Sequence, residues 1–217
     1  MSDQVLLSIC IPSIPSRIRM SLEPLFSRLM AQVGNRKDVE IISVLDNKMM
    51  SIAKKRKHLL DIASGRYCTF LDDDDDFAPT YIEDVTNAIR GYDGVDVVCY
   101  DQQAFIEGVE YLISTDLKHL KKPCDPSTEL TFEQLPPTPR DASGRLVPCR
   151  RPPWIWCAWK TELIRSIDFG NSSFGEDGFF VVNAVGKAKL QYKIDKPLHI
   201  YRWSSKTTAA PFIRPQV

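Results

Sequence analysis

The sequence predicts an α/β protein in which a mostly parallel β-sheet is flanked by helices. In the first half of the chain, short apolar runs alternate with segments whose apolar residues recur at helical spacing. This alternation is typical of parallel strands joined by right-handed helical crossovers. The runs are continuously apolar rather than alternating, which indicates strands that are buried on both faces of the sheet.

Four strands are predicted before residue 101. They cover residues 5–11, 39–45, 67–71 and 95–100. Pro12 closes the first run, Asp46-Asn47 follows the second, and a run of aspartates follows the third. Open α/β sheets bind ligands beyond the carboxyl ends of their strands, so these flanking residues are expected to meet at a binding edge.

The helices between these strands have recognisable ends. The first is expected to begin near Ser21 and to stop at Gly34. The second runs from Ser51, a good N-terminal cap, to Gly65, a residue that suits the end of a helix. A third opens at Pro79.

The pattern changes after Asp101. Residues 105–114 read as a hairpin that turns at Glu107-Gly108. Residues 121–153 are rich in proline and lack periodicity, which predicts a long loop. Further helices are expected at residues 161–167 and from Gly175, and the last strands at residues 190–194 and 198–203.

Length and composition limit the class of protein. A chain of 217 residues, 43% of them hydrophobic, can bury a full core. The 28 basic and 28 acidic residues cancel, so no overall charge recruits nucleic acid or an anionic membrane. No signal peptide precedes the first strand, and no window approaches the roughly 18 apolar residues of a membrane span. We expect a cytoplasmic protein whose six cysteines are reduced.

Five consecutive aspartates, residues 72–76, follow the third predicted strand; we call them the acid turn. Like charges at this density repel one another, so a purely structural role is costly. Carboxylate oxygens are the preferred ligands of Mg²⁺ and Mn²⁺. A metal-binding turn is therefore expected, and the alternative is a solvated acidic loop.

The other residues of the same edge suit a nucleoside diphosphate. Residues 12–14 form a slot beside the lone acid Asp46, and Lys54, Lys55 and Arg56 begin the second helix. An acid can accept hydrogen bonds from a base or ribose, cations contact phosphate oxygens, and carboxylates hold a bridging metal.

Several motifs resemble those of family 2 glycosyltransferases, which have the GT-A fold. Residues 51–57 (SIAKKRK) and 63–75 (ASGRYCTFLDDDD) resemble the central signature, with its A-x-G-x-Y turn and DXD-type metal motif. Phe174-Gly175-Glu176-Asp177 resembles the late Glu-Asp element, and residues 194–202 resemble the closing strand of small phage and bacterial members. The resemblance implies one GT-A domain over residues 1–217, with a nucleotide-sugar half (1–101) and an acceptor half (102–217).

The resemblance also implies roles for individual residues. Asp177 would be the general base, and Arg56 would approach the diphosphate. The ligands of Mn²⁺ or Mg²⁺ would be Asp74, Asp72 and His199. The donor-binding residues would be Pro12, Ser13, Ile14, Arg17, Asp46, Arg56, Asp72 and Asp73.

Some residues keep two interpretations. Trp154, Trp156 and Trp159 offer faces for an acceptor, with Glu176 nearby, or they pack a small lobe. His199 lies in an alternating strand, where packing is the alternative to metal ligation. Lys55 and Lys57 are interpreted as part of a solvated helix face.

We therefore expect a metal-dependent hexosyltransferase of EC class 2.4 that transfers a sugar from a nucleotide donor, UDP-linked, with inversion. The acceptor is a saccharide or a hydroxymethylated pyrimidine in phage DNA; for a phage protein the location is the host cytoplasm. One alternative is a nucleotidyltransferase acting on a sugar phosphate, although residues 11–15 lack its Gly-rich loop. The other is a catalytically silent nucleotide-sugar-binding module. The sugar, the acceptor and the oligomeric state stay open.

Overall fold

A computed structural model describes residues 4–119, 135–136, 139–171 and 175–205. In these ranges a curled sheet is surrounded by helices, so the predicted α/β class is confirmed. The strands are β1 Leu7–Ser13, β2 Val39–Leu45, β3 Tyr67–Phe70, β4 Asp76–Phe77, β5 Val97–Ile106, β6 Val109–Thr115, β7 Cys149–Arg151, β8 Ala158–Lys160 and β9 Gln191–Trp203. The helices are α1 Glu23–Val33, α2 Ile52–Ile62, α3 Tyr81–Gly91, α4 Thr161–Ile164 and α5 Glu176–Lys187.

The sheet is mixed rather than mostly parallel. Its main path runs β2-β1-β3-β8-β5-β6-β7, and β9 pairs with β5 and β4. Strand β1 is parallel to β2 and to β3, so their carboxyl ends share one edge, as predicted. Strand β8 enters between β3 and β5 in the antiparallel sense. Its three residues are too few to show a strand period in the sequence.

Strand β1 is buried along its whole length, which accounts for its continuous apolar run. It extends to Ser13, beyond the predicted end, because Pro12 stays in register with Val44 of β2. The fixed φ of proline is compatible with an extended strand, and here the ring ends neither the strand nor the pairing.

The entry to α1 differs from the prediction. A 3₁₀ turn, Pro15–Arg17, and a π-helical segment, Ile18–Leu22, come before the helix, so Ser21 lies inside the π segment and does not cap. The predicted stop is confirmed, because Gly34 ends α1 with φ +55°. Short π segments inside helices are frequent at functional sites.

Helix α2 begins as predicted and ends earlier. The Oγ of Ser51 accepts a hydrogen bond from the Lys54 amide at 3.3 Å, which is an N-terminal cap. The last turn is capped by the guanidinium of Arg165, which donates to the carbonyl oxygens of Leu60, Asp61 and Ala63. This cation also suits the negative end of the helix.

Gly65 has a different role from the predicted helix stop. A Cβ on Gly65 would lie 2.5 Å from the Ser8 Oγ and 2.6 Å from the Ser8 amide nitrogen of β1. The Gly65 amide also donates to that Oγ at 2.8 Å. Glycine is therefore required by the close approach of two backbones.

The hairpin at Glu107-Gly108 is confirmed. Ile106 pairs with Val109, and the two turn residues have φ of 49° and 80°, which is typical of a two-residue turn between β5 and β6. Strand β9 is one strand where two were expected. Its register against β5 slips between Ile194 and Pro197, so Asp195 and Lys196 form a bulge.

Most of the predicted loop, residues 121–153, lies outside the described residues. Within the described part, Arg140 bridges to Leu146, and β7 pairs in parallel with β6. The helix expected at residues 161–167 is confirmed as the shorter α4, and the helix expected from Gly175 is α5. No described helix is long and apolar enough to cross a bilayer.

The core holds the start of α5 against the end of β3. The ring of Phe70 contacts those of Phe169 and Phe180 edge-on, at centroid distances of 5.6 and 6.1 Å. Phe180 lies one turn into α5. Phe70 is the last residue of β3, and only Leu71 separates it from the acid turn. Edge-to-face aromatic contacts of this kind fix the relative position of the two elements. The described cysteines, which do not include Cys124, are free and buried.

We predict that Gly65→Ala destabilises the fold by about 1–3 kcal/mol, because the added methyl overlaps the backbone of β1. Gly91→Ala is the matched control: a Cβ there meets nothing within 4 Å. The measurement is the free energy of unfolding from denaturant titration. Equal values for the two variants would contradict the close approach of Gly65 to β1.

Candidate active site

The acid turn is a tight turn closed by its own residues. The Asp75 amide donates to the Asp72 carbonyl at 3.0 Å, and the Asp72 amide donates to the Asp75 carboxylate at 2.9 Å. Asp73 and Asp75 are buried, whereas Asp72 and Asp74 are 48% and 45% exposed. The turn therefore sends consecutive carboxylates in different directions.

Each carboxylate of the acid turn faces a basic side chain from another element. These pairs offset the repulsion within the turn. The pairs are Asp72–Arg56 at 2.8 Å, Asp73–Arg17 at 2.9 Å, Asp74–Arg17 at 2.5 Å, Asp75–His199 at 3.0 Å and Asp76–Arg28 at 3.3 Å.

Asp73 links the acid turn to the end of β1. The Oγ of Ser13 donates to its Oδ2 at 2.6 Å, and Arg17 contacts its Oδ1. Burial raises the pKa of Asp73, while the bond from Ser13 and the charge of Arg17 oppose that rise. Both oxygens of Asp73 are thus engaged within the protein.

Lys55 is buried, so its interpretation as a solvated residue is wrong. Its side chain points from α2 under the ends of β1 and β2, where Nζ donates to the Ser13 carbonyl at 2.8 Å and pairs with Asp46. The hydrogen bond from Lys55 lowers the pKa of Asp46. The other oxygen of Asp46 accepts from the Met50 amide at 2.6 Å, so this acid also orders the loop after β2.

Arg56 lies at the centre of the carboxyl edge and is only 4% exposed. Its Nη2 bonds Asp72, and its Nε is 3.5 Å from Oε1 of Glu176. Burial disfavours its charge, but Asp72 and Glu176 outweigh that cost and raise the pKa of Arg56. Nε and Nη1 have no hydrogen-bond partner among the described residues.

The start of α5 brings two more acids to this edge. Gly175 adopts φ 79° and leads into Glu176, which is buried, and burial raises the pKa of Glu176 against the charge of Arg56. Asp177 is half-buried, and its Oδ2 accepts a hydrogen bond from Nε1 of Trp154 at 3.2 Å. A carboxylate in the first turn of a helix is favoured by the helix dipole.

His199 both packs and faces the acid turn. Its ring stacks on Trp156 at 4.9 Å with an interplanar angle of 2°. The ring nitrogen Nδ1 lies 2.8 Å from Nε2 in the side chain of Gln102. Nε2 is buried 3.0 Å from Asp75 Oδ2 but lacks the alignment of a hydrogen bond.

The three tryptophans have different environments. Trp159 is fully buried in β8, and its indole donates to the Trp154 carbonyl at 2.9 Å. Trp156 is 5% exposed between His199 and Tyr100. Packing, the alternative left open by the sequence, describes both. Trp154 is half-buried, so it is the member of the three that is partly exposed.

Sequence reasoning missed Asp75 and Tyr201. Burial raises the pKa of Tyr201 to about 12, and the charges of Asp75, Asp74 and Asp72 add to that rise. The signal was present in the sequence, because Tyr201 is two residues after His199 and so shares its face of β9. The phenol stays neutral and can donate a hydrogen bond at this edge.

The residues around the acid turn fit a divalent metal ion in part. Across the described ranges, no group of three or more His, Cys, Asp or Glu side chains is arranged to hold a metal. Mg²⁺, however, is usually bound by one or two carboxylates together with substrate phosphates and water. Asp75 supplies one such carboxylate, with the unaligned buried Nε2 of His199 beside it, whereas Asp72 and Asp74 face arginines.

Comparison with solved structures identifies the fold. S. aureus TarS in complex with UDP-GlcNAc matches with a TM-score of 0.60 and 14% identity, covering 95% of this chain and 62% of that one. TarS in complex with UDP matches with a TM-score of 0.58 and 16% identity, over 93% and 62%. TarS is a glycosyltransferase of GT-A fold. The fold of this chain is GT-A.

The similarity has defined limits. This chain spans only about three-fifths of the TarS fragment seen with UDP-GlcNAc, 62% of its length. No protein-family model matches the sequence, and no curated protein matches it. At these identities the comparison shows the fold expected from the motifs, and the activity has to be argued from the residues of this chain.

We predict that Tyr201 keeps its proton up to about pH 12 in the folded protein. The unfolded chain releases this proton near pH 10, so the stability that Tyr201 contributes is complete below pH 10 and is lost as the pH rises through about 12. The measurement is the tyrosinate absorbance of the protein minus that of Tyr201→Phe. A difference curve centred near pH 10 would contradict the buried environment.

Proposed function

We propose that this chain is a glycosyltransferase whose donor is a nucleotide sugar, UDP-linked. The observation that carries the proposal is Arg56, a buried arginine with two nitrogen atoms lacking hydrogen-bond partners in the described structure. It lies at the carboxyl edge of the sheet, between Asp72 and Glu176. An arginine fork pairs well with phosphate oxygens, and in this proposal a diphosphate would bond Nη1, whereas Nε faces Glu176.

The donor half, residues 1–101, supplies the nucleotide slot. Pro12 and Ser13 end β1, Ile14 follows them, and Asp46 comes directly after β2, whose last residue pairs with Ser13. Asp46 retains acceptor capacity for a base or ribose, and Lys55 keeps it ionised and in place. Arg17 joins Arg56 as a cation for the diphosphate, while Asp72 and Asp73 complete the rim.

A divalent ion, Mn²⁺ or Mg²⁺, belongs to the proposal. Asp75 and His199 would hold it, together with Asp74 and Asp72, which the sequence resemblance implies as ligands. When bound, the ion neutralises the charge that develops on the departing diphosphate. Gln102 would keep the ring of His199 oriented, because it contacts the other ring nitrogen.

Asp177 is the proposed general base. It takes the proton of the acceptor hydroxyl as the oxygen forms a bond to the anomeric carbon of the sugar and the bond from that carbon to the diphosphate breaks. Attack opposite the leaving diphosphate inverts the anomeric centre. Asp177 lies in the first turn of α5, where the helix dipole favours a carboxylate.

The acceptor half, residues 102–217, contributes Glu176 and Trp154 beside Asp177. The guanidinium of Arg151 lies over the Trp154 ring at 5.8 Å. An indole face suits either a saccharide or a hydroxymethylated pyrimidine. Testing UDP-sugars against a glycan panel and hydroxymethylated DNA duplexes separates the two acceptor classes.

We predict that Asp177→Asn lowers turnover of a UDP-sugar by about 10²–10⁴-fold and leaves UDP affinity unchanged, because the amide cannot take a proton. Asp168→Asn is the matched control; Asp168 caps Gly170 in an exposed loop. Turnover is followed as UDP release with Mn²⁺, and affinity by calorimetry. Wild-type turnover in Asp177→Asn would remove the base from the proposal.

We predict that Asp75→Asn weakens Mn²⁺ binding in the presence of UDP by about tenfold or more, because a ligand is lost. Asp76→Asn is the matched control, since the adjacent Asp76 pairs with Arg28 instead. The electron paramagnetic resonance signal of free Mn²⁺ measures both affinities. Unchanged binding in Asp75→Asn, with loss in Asp74→Asn, would return the ligand role to Asp74.

A further inference from the structure

We infer that Trp154 is a positioning residue for Asp177, whose carboxylate it fixes through its indole N–H. The inference rests on the proposed role of Asp177 as the general base. It assigns to the polar atom of Trp154 a task that is separate from any stacking of its ring on an acceptor.

The carboxylate of Asp177 is held at both oxygens. Oδ2 accepts from Nε1 of Trp154 at 3.2 Å, and Oδ1 is 2.8 Å from the amide of Gly178. These two contacts define the plane of the carboxylate. An indole N–H is a donor only, so it cannot take the acceptor's proton in place of the base.

Trp154 is itself well anchored. Its carbonyl accepts hydrogen bonds from Nε1 of Trp159 at 2.9 Å and from the amide of Cys157 at 3.0 Å. Both donors are fully buried, and Trp159 lies in β8 at the centre of the sheet. The ring of Trp154 also lies against the guanidinium of Arg151. The indole N–H that bonds Asp177 is therefore held in position by residues of the core.

This anchoring matters because a general base must reach a proton within a narrow range of distance and direction. Small displacements of catalytic groups cost large factors in rate. Gly178 alone leaves the Asp177 carboxylate free to turn about its side-chain bonds. The indole N–H removes that freedom by bonding the other oxygen, Oδ2.

The competing role is an acceptor platform, and water distinguishes the two. In hydrolysis of a UDP-sugar, water replaces the acceptor, so a platform contributes nothing. A base still removes the proton of the attacking water. Loss of the indole N–H should therefore slow hydrolysis only if Trp154 positions Asp177.

The experiment compares Trp154→Phe, Trp154→His and the control Trp203→Phe in the full chain. The probe is the best hydrolysed member of a UDP-sugar panel that includes UDP-GlcNAc, with Mn²⁺. We expect Trp154→Phe to lower the kcat of hydrolysis about tenfold to a hundredfold with an unchanged KM, the usual range for a hydrogen bond to a charged group. Trp154→His keeps an N–H donor and should restore part of kcat. Trp203→Phe loses an indole N–H at the end of β9 and should behave as wild type.

A second measurement does not depend on activity. With ¹⁵N-labelled tryptophan, Asp177→Ala should shift one of the four indole N–H resonances and hasten its exchange with solvent. The resonance missing from Trp154→Phe identifies it. Unchanged indole resonances in Asp177→Ala would overturn the inference even if Trp154→Phe failed to fold.

The outcomes separate the inference from the function it rests on. Asp177→Asn with wild-type hydrolysis would reject the base itself. Inactive Asp177→Asn together with wild-type hydrolysis in Trp154→Phe would reject only the positioning role. If that variant then shows a raised KM for an acceptor, the ring is a platform.

Discussion

Repulsion among the aspartates of the acid turn sets the arrangement of the whole edge. The carboxylates repel one another, and each pairs with a basic side chain from outside the turn, with Asp73 and Asp74 sharing Arg17. Arg56 comes from α2, Arg17 from the turn before α1, Arg28 from α1 and His199 from β9. The acid turn therefore links elements that are distant in the chain, and the resulting edge is charged, with Arg56, Asp73 and Asp75 buried within it.

The sequence predicted what local patterns encode. Strand β2 matches its apolar run at both ends, Ser51 caps α2, and the Glu107-Gly108 turn is in place, because burial, capping and positive φ are properties of neighbouring residues. Strand β8 and the bulge in β9 were missed, because both depend on partners far along the chain. The close approach of Gly65 to Ser8 is likewise invisible in a local reading.

The candidate site shows the same division. The motifs located the acids, Arg56 and Asp177 at one edge, but not which side chains face each other. Lys55 looks solvated by charge, and only the meeting of β1 and β2 above α2 shows why it is buried. Asp75 gains significance from its contact with His199, which no spacing rule contains.

The antiparallel insertion of β8 has a consequence for how such a protein can change. Strand β8, from the later half of the chain, fills the gap between β3 and β5. Separating the chain at residue 101 would therefore leave the facing edges of β3 and β5 unpaired and a cavity where Trp159 is buried. The halves are thus not exchangeable modules. Under the proposed function, new acceptor preferences would have to arise by substitution and loop variation on an intact frame, not by recombination of the two halves.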